Sequence, residues 1–185
     1  MPRTADQHLE QRILTAARRL CHARGVPGLT LRAVARAAGT TTPTVYKRFR
    51  NKAALQNALA TEIRREMTEF VFAAPGIEQI YRRYVQFIEE NSEDYEVLLR
   101  TQTQILSPES GRPGKTRFLA ELTRRFGGKP EDYELSFYAL FLLCQGAASF
   151  MGVGSSPDLR AEMREHCIAV CDRLLQHIDI LRNKS

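Results

Sequence analysis

Apolar residues recur at helical spacing along almost the whole chain. In the first segment Leu9, Ile13, Ala16, Ala17 and Leu20 share one face, while Arg12, Arg18, Arg19 and Arg24 lie elsewhere. This predicts an amphipathic helix of about five turns, ended by Gly25 and the Pro27-Gly28 pair. A short helix is expected over about 31–38, with Thr30 as N-cap and Val34, Ala35 and Ala38 as a small apolar face. Gly39 breaks it. Another short helix should run over about 43–49, opened by Pro43, with Val45 and Phe49 inward. Asn51 caps a long helix over about 52–72, striped by Leu55, Leu59, Ile63, Met67 and Phe70.

The pattern continues beyond the Ala73-Ala74-Pro75-Gly76 stop. Ile77, Ile80, Tyr81, Tyr84, Phe87 and Ile88 carry the next helix, and Asn91-Ser92 interrupts it. Tyr95, Leu98, Leu99, Gln102, Ile105 and Leu106 carry another, and residues 107–114 form the clearest loop. Phe118, Leu119, Leu122 and Phe126 define one more helix, and the last two span about 131–152 and 157–181. No stretch alternates with period two, so the expected fold is all-α with about nine helices. The organisation expected is a three-helix head over residues 1–52 and a larger helical body over 53–185.

Charge sharpens that division. Residues 1–52 hold eleven Lys and Arg against Asp6 and Glu10, a net of +9, and the rest of the chain nets −3. The formal +6 of the 185 residues therefore resides in the first quarter, as suits a polyanion-binding end on a near-neutral body. With 43% hydrophobic and 26% charged residues the chain can bury a core. Residues 1–6 contain no apolar h-region, which argues against a secretory signal. The longest apolar stretch, 137–153, includes Gln145, Gly146, Ser149 and Gly152 and is shorter than a usual spanning helix, so no membrane partner is expected.

Helix, turn, short helix in the basic region is the helix-turn-helix layout. Its second short helix would lie in a major groove with its N-terminal residues at base edges. Thr42 and Thr44 offer hydroxyls there, and Pro43 an apolar surface for a thymine methyl. Lys47 and Arg48 can reach guanine or phosphate, and Tyr46 can donate its hydroxyl to a phosphate. Lys52 adds charge at the start of the next helix, where free backbone N–H groups attract phosphate. The same threonines could instead cap or solvate a short helix.

These residues carry a resemblance. The run from Thr30 through Val34, Ala35, Ala38 and Gly39, then Thr44-Val45-Tyr46-Lys47-Arg48-Phe49, then Asn51-Lys52-Ala53-Ala54-Leu55, resembles the N-terminal domain of tetracycline-repressor (TetR) family regulators. Thr40 departs from it, since the family usually has an apolar residue after the glycine. The resemblance implies a homodimeric regulator that binds a palindromic operator on double-stranded DNA and is usually released from it by a small molecule. It also implies Arg32, Thr42, Pro43, Thr44 and Lys47 as the base-facing set, Tyr46 and Lys52 as phosphate contacts, and Arg48 as one or the other.

The body is less specific. Aromatics at core spacing are usually core, but a ligand cavity in a helical domain would be lined by the same surface with a few polar groups. The candidate ligand-binding residues are Tyr84, Tyr95, Gln102, Phe118, Phe137, Phe141 and Cys144, and the lack of strong charge among them favours a lipophilic effector. The helix over 137–153 is apolar nearly all round and the last helix carries a wide apolar stripe, so the two are expected to form a four-helix homodimer interface.

Cys21, Cys144, Cys167 and Cys171 show no disulfide framework, which fits a reducing cytoplasm. Cys167 and Cys171, four apart on one helix face, make a poor zinc site alone because structural zinc takes four ligands, so no metal is expected. No nucleophile elbow, phosphate-binding glycine loop or paired-carboxylate site is present, so no catalytic residue and no cofactor are expected either. Two alternatives to the effector-released repressor stand open. One is an effector-independent activator or architectural DNA-binding protein; the other is a thiol or metal sensor using Cys167 and Cys171.

Overall fold

Helix starts and stops follow the local chemistry of the chain. In a computed structural model, which describes residues 3–101, 113–152 and 154–182, nine α-helices and no strand are found among the described residues. They are α1 (Arg3–Arg24), α2 (Leu31–Ala37), α3 (Thr42–Arg48), α4 (Lys52–Val71), α5 (Ile77–Glu90), α6 (Ser92–Arg100), α7 (Pro113–Phe126), α8 (Glu134–Met151) and α9 (Pro157–Gln176). Thr30 caps α2 by accepting from the Ala33 N–H at 3.1 Å, and Asn51 caps α4 through the Ala54 N–H at 2.8 Å. Gly39, at φ +62°, sits just past α2. There the Thr40 N–H bonds the Ala35 carbonyl and the Gly39 N–H bonds the Arg36 carbonyl, the two closures of a Schellman turn. The bond at Thr40 is a backbone one, so a polar side chain after the glycine does not remove it.

Several boundaries differ from the sequence expectation, among them the start of α8 at Glu134, which Pro130–Tyr133 precedes as a 3₁₀ turn. α3 begins at Thr42 because Thr41, one residue earlier, accepts from the Thr44 N–H and is the cap. α6 begins at Ser92, since Asn91 alone ends α5, its side chain donating to the Phe87 carbonyl at 3.0 Å. α9 stops at Gln176, and Ile178–Ile180 continues as a 3₁₀ turn.

The chain divides into two compact units. The first comprises Met1–Arg65 and Glu93–Gln104, and thus takes in the first part of α4 as well as α6. It extends past residue 52 because Leu55, Leu59 and Ile63 of α4, with Tyr95, Val97 and Leu98 of α6, are buried. The second comprises Glu66–Ser92 and Ile105–Ser185. Its α5 buries Ile77, Ile80, Tyr81, Val85, Phe87 and Ile88, each worth about 1.5–3 kcal/mol in area removed from water. The end of α4 is held to α5 by Arg83, which donates to the Phe70 carbonyl at 2.6 Å and lies over the Phe70 ring. α8 packs on α9 and on α5.

Among the described residues α8, with the turn before it, is the one helix long and apolar enough by composition to cross a membrane. One of its faces, Ser136, Leu140, Cys144, Ala148 and Met151, is buried within the protein, and Leu135, Leu142 and Phe150 stand exposed on the other side. This chain alone thus buries one side of the nearly all-apolar helix.

Candidate functional site

α2 packs against both α1 and α3. Val34, Ala35 and Val45 are buried with Ile13, Ala17 and Leu29, so α3 is held on its inner face by small and branched side chains. Helical spacing then puts Pro43, Tyr46 and Lys47 together on the opposite, outer face. All three are exposed, and Tyr46 presents 54% of its surface although it is a large aromatic. An exposed tyrosine between a proline and a lysine on a rigidly seated helix offers an apolar contact, a hydroxyl donor and a charge on one short face. Those are the groups a helix uses on base edges and phosphates.

Residues 13–59 match the sequence profile described as bacterial regulatory proteins, tetR family. The match covers the helix-turn-helix segment from within α1, through α2 and α3, to the first part of α4. No curated protein sequence matches the chain significantly. Among solved structures the chain is similar to a TetR-like transcriptional regulator from Rhodococcus sp. RHA1, with 20% identity, TM-score 0.63, and coverage of 91% of this chain and 96% of that one. It is likewise similar to a TetR-family regulator from Mesorhizobium loti MAFF303099, with 19% identity, TM-score 0.63, and coverage of 94% and 98%. A TetR-family regulator from Haemophilus influenzae RD aligns over 90% of this chain and 97% of its own at 16% identity and TM-score 0.59. At these identities the likeness is one of fold, and the fold is that of TetR-like regulators over nine-tenths of the chain.

The remaining sequence candidates in the helix-turn-helix segment divide by what they already touch. Arg32 is exposed. Thr42 is half-buried beside the outer face of α3. Thr44 is half-buried, with its hydroxyl 2.8 Å from that of Thr41. Arg48 reaches Glu10 of α1 at 3.7 Å, so part of its role lies within the domain. Lys52 donates to the Pro27 carbonyl at 3.1 Å on an exposed surface, which bridges the two turns flanking the helix-turn-helix.

Other side chains that hold this unit together were not visible in the sequence. Arg12 donates to the Ala38 carbonyl at 2.8 Å, satisfying an end group of α2 next to the Gly39 turn. Asp94 of α6 is 1% exposed and accepts from Arg18 Nη2 at 2.5 Å, while His22 Nε2 lies 2.7 Å from its other oxygen. A single buried carboxylate thus ties α6 to two basic residues of α1. In the same unit, burial first and the Asp94 charge second push the Cys21 thiol up to about 11.

The ligand-binding candidates are partly brought together. In the second unit Phe137 stacks on Phe141 at 5.6 Å between ring centroids and meets Phe118 edge-on at 5.5 Å. Tyr84 of the same unit donates to Gln145 Oε1 at 2.5 Å, giving the apolar body one hydroxyl–amide pair. Tyr95 is fully buried in the first unit, and Gln102 lies outside the described residues.

Cys144 joins a different group. Its sulfur lies 3.9 Å from those of Cys171 and Cys167, so the pair noticed in the sequence has a third member from α8. Hydrogen bonds to the neighbouring thiols, and then burial, hold the Cys144 thiol far above its ordinary range. Next to Cys171 in sequence, the Asp172 carboxylate accepts from Tyr81 and from Arg82, the latter at 2.6 Å. Burial first and that hydrogen bond second raise the Tyr81 phenol.

Proposed function

We propose that the chain is a homodimeric transcriptional repressor that reads a palindromic operator with α3 and leaves it when a small lipophilic effector binds the helical body. The observation that carries the DNA half is the outer face of α3. Pro43, Tyr46 and Lys47 are exposed on a helix whose inner face is locked by Val45, in a segment matching the tetR family. Arg32, Thr42, Thr44 and Arg48 flank that face, and Lys52 supplies charge at the start of α4.

Dimerisation is supported by where apolar surface is left uncovered. Of the large hydrophobic side chains that stand exposed among the described residues, Leu135, Leu142, Phe150, Val170 and Ile180 lie on α8, on α9 or in the turn after it, and the sixth is Tyr46. A second copy applying the same two helices would cover them in a four-helix, two-fold interface. Two reading helices would then be fixed one DNA turn apart, as palindromic half-sites require.

Release follows from population shift. α4 runs unbroken from Lys52 to Val71, contributing to the first unit through Arg65 and to the second from Glu66 onward. An effector that binds more tightly when the two readers are wrongly spaced draws the dimer off DNA. The aromatic cluster of Phe118, Phe137 and Phe141, with the Tyr84–Gln145 pair, is the surface best suited to such an effector. In this reading the protein is a regulator and no reaction is assigned to it.

The test is DNA selection from a random pool followed by fluorescence anisotropy on the enriched duplex. The expected result is one dimer bound to an inverted repeat, with affinity falling as salt rises. Monomeric binding, or no enriched sequence, would overturn the proposal.

A further inference from the structure

The DNA-binding reading leaves one buried cluster of reactive side chains without a role. Cys144 lies midway along the buried stripe of α8, and Cys167 and Cys171 are one turn apart on the facing side of α9. The three thiols are 4%, 3% and 0% exposed. Cys144 Sγ is 3.9 Å from each of the other two sulfurs, and all three lie within 4.8 Å of one another.

We propose that these thiols bind a soft, thiophilic ion in three-coordinate geometry, that arsenic(III) is the species whose charge the site balances, and that this ion is a signal the body receives. The last clause rests on the DNA-binding function proposed above.

Geometry comes first. A pyramidal three-thiolate arsenic(III) centre, with bonds of about 2.3 Å and angles of about 95–100°, has sulfur–sulfur edges of about 3.5 Å. Two edges of this triangle need to close by about 0.5 Å and the third by less than about 1.5 Å, within the reach of side-chain rotation. A disulfide would use two of the sulfurs at a separation of about 2.05 Å and leave the third unused. Three sulfurs converging from two helices are the donor set soft ions prefer.

Charge then selects within the class. Three thiolates around a monovalent or divalent ion leave net negative charge in a dry core, which is costly without a cation to pair it. Among the described residues no Lys, Arg or His side chain hydrogen-bonds any of these sulfurs. The nearby Asp172 and Arg82 neutralise each other. A trivalent centre leaves no charge. Arsenous acid and three thiols give a tris-thiolate and three waters: three As–O bonds break, three As–S bonds form, and the thiol protons leave in the water. No electron is transferred. The ligands come from α8 and α9, the helices whose outer faces we assign to the dimer, so drawing the sulfurs together shifts the pair that sets reader spacing.

The experiment is native mass spectrometry of the reduced full-length protein with arsenite, paired with X-ray absorption at the arsenic edge. The expected result is one arsenic per chain, a mass gain of arsenic less three protons, and three sulfur neighbours without oxygen. Cys21→Ala should leave uptake unchanged. Cys144→Ala, Cys167→Ala and Cys171→Ala, checked for folding by circular dichroism, should each weaken binding by more than roughly 100-fold, beyond the loss typical of an outer partner. Zinc(II) alone should bind more weakly than arsenite. The site is overturned if the wild type retains no arsenic, if oxygen remains bound to it, if Cys21 is required, or if the thiols yield only a disulfide. The wild-type stoichiometry and spectrum decide even where a variant misfolds. On the selected duplex, arsenite should weaken wild-type binding at least about tenfold, within the range of ordinary allosteric coupling. Unchanged DNA affinity with arsenic bound overturns the signalling clause. A protein that takes up arsenic but binds no duplex overturns the DNA reading and leaves the site standing.

Discussion

The outer face of α3 and the outer faces of α8 and α9 are both exposed, yet they are finished differently. α3 shows one large apolar side chain, Tyr46, and sets it beside Lys47 and Pro43. α8 and α9 show Leu135, Leu142, Phe150 and Val170. The first surface is complete as it stands in water and carries groups for a polar, charged partner. The second leaves apolar area that water penalises and an apolar partner would cover. Exposure alone therefore does not identify a binding surface. On the proposed function, the chemistry of what is exposed assigns nucleic acid to the first surface and a second copy of the same helices to the second.

The comparison breaks most sharply at Leu142. Leu142→Arg places a charge on a residue already 63% exposed, so folding should be little affected. Light scattering should then report a 21.0 kDa monomer in place of the dimer. Operator affinity should fall by about 100- to 10,000-fold as the two readers become independent. A persistent dimer would place the interface elsewhere.

A second test concerns how α6 is held to the reading domain. Asp94→Ala removes the buried carboxylate shared by Arg18 and His22. Since both partners are partly exposed, the cost should be about 2 kcal/mol rather than the larger loss of a fully buried pair, read from urea unfolding. An unchanged midpoint would show that this junction carries no stability.

On α3 itself, Lys47→Ala should weaken binding to the selected duplex by about 1–2 kcal/mol while leaving the dimer intact. Thr41→Ala should cost about 1 kcal/mol of stability through the lost cap, measured by thermal unfolding. If Thr41→Ala instead changed sequence preference, the threonine hydroxyls would be readers and not caps.

A further effect is expected with pH. The Cys21 thiol is held neutral to about 11 in the folded protein against an ordinary value of 9.0. The unfolded chain therefore loses its proton first as pH rises. The stability linked to Cys21 is fully present below pH 9 and is lost between there and about pH 11. Cys21→Ala should flatten that part of the stability–pH curve in chemical denaturation.

Much of this was legible along the chain because it depends on near neighbours. Thr30, Asn51 and the Gly39 turn act within a few residues of themselves, and α3 declares its inner face through Val45 and Phe49. Thr41 was hidden only because it stands in a run of three threonines, any of which could cap. What was not legible depends on distant partners. Asp94 meets Arg18 across 76 positions, and no local pattern marks an acid on α6 as the anchor for α1. Cys144 sits on an apolar stripe that reads as core or cavity lining, and the packing of α8 on α9 alone brings it to Cys167 and Cys171. Tyr95 carries the same helical spacing as Tyr84, yet α6 belongs to the first unit and α5 to the second.

The central claim is that the outer face of α3 reads DNA in a dimer. Its most direct test is parallel selection of duplexes from a random pool by the wild type and by a Tyr46→Ala, Lys47→Ala variant. The account predicts an inverted repeat enriched by the wild type and lost by a variant that remains a folded dimer. Enrichment of the same repeat by both proteins, or of no sequence by either, would contradict it.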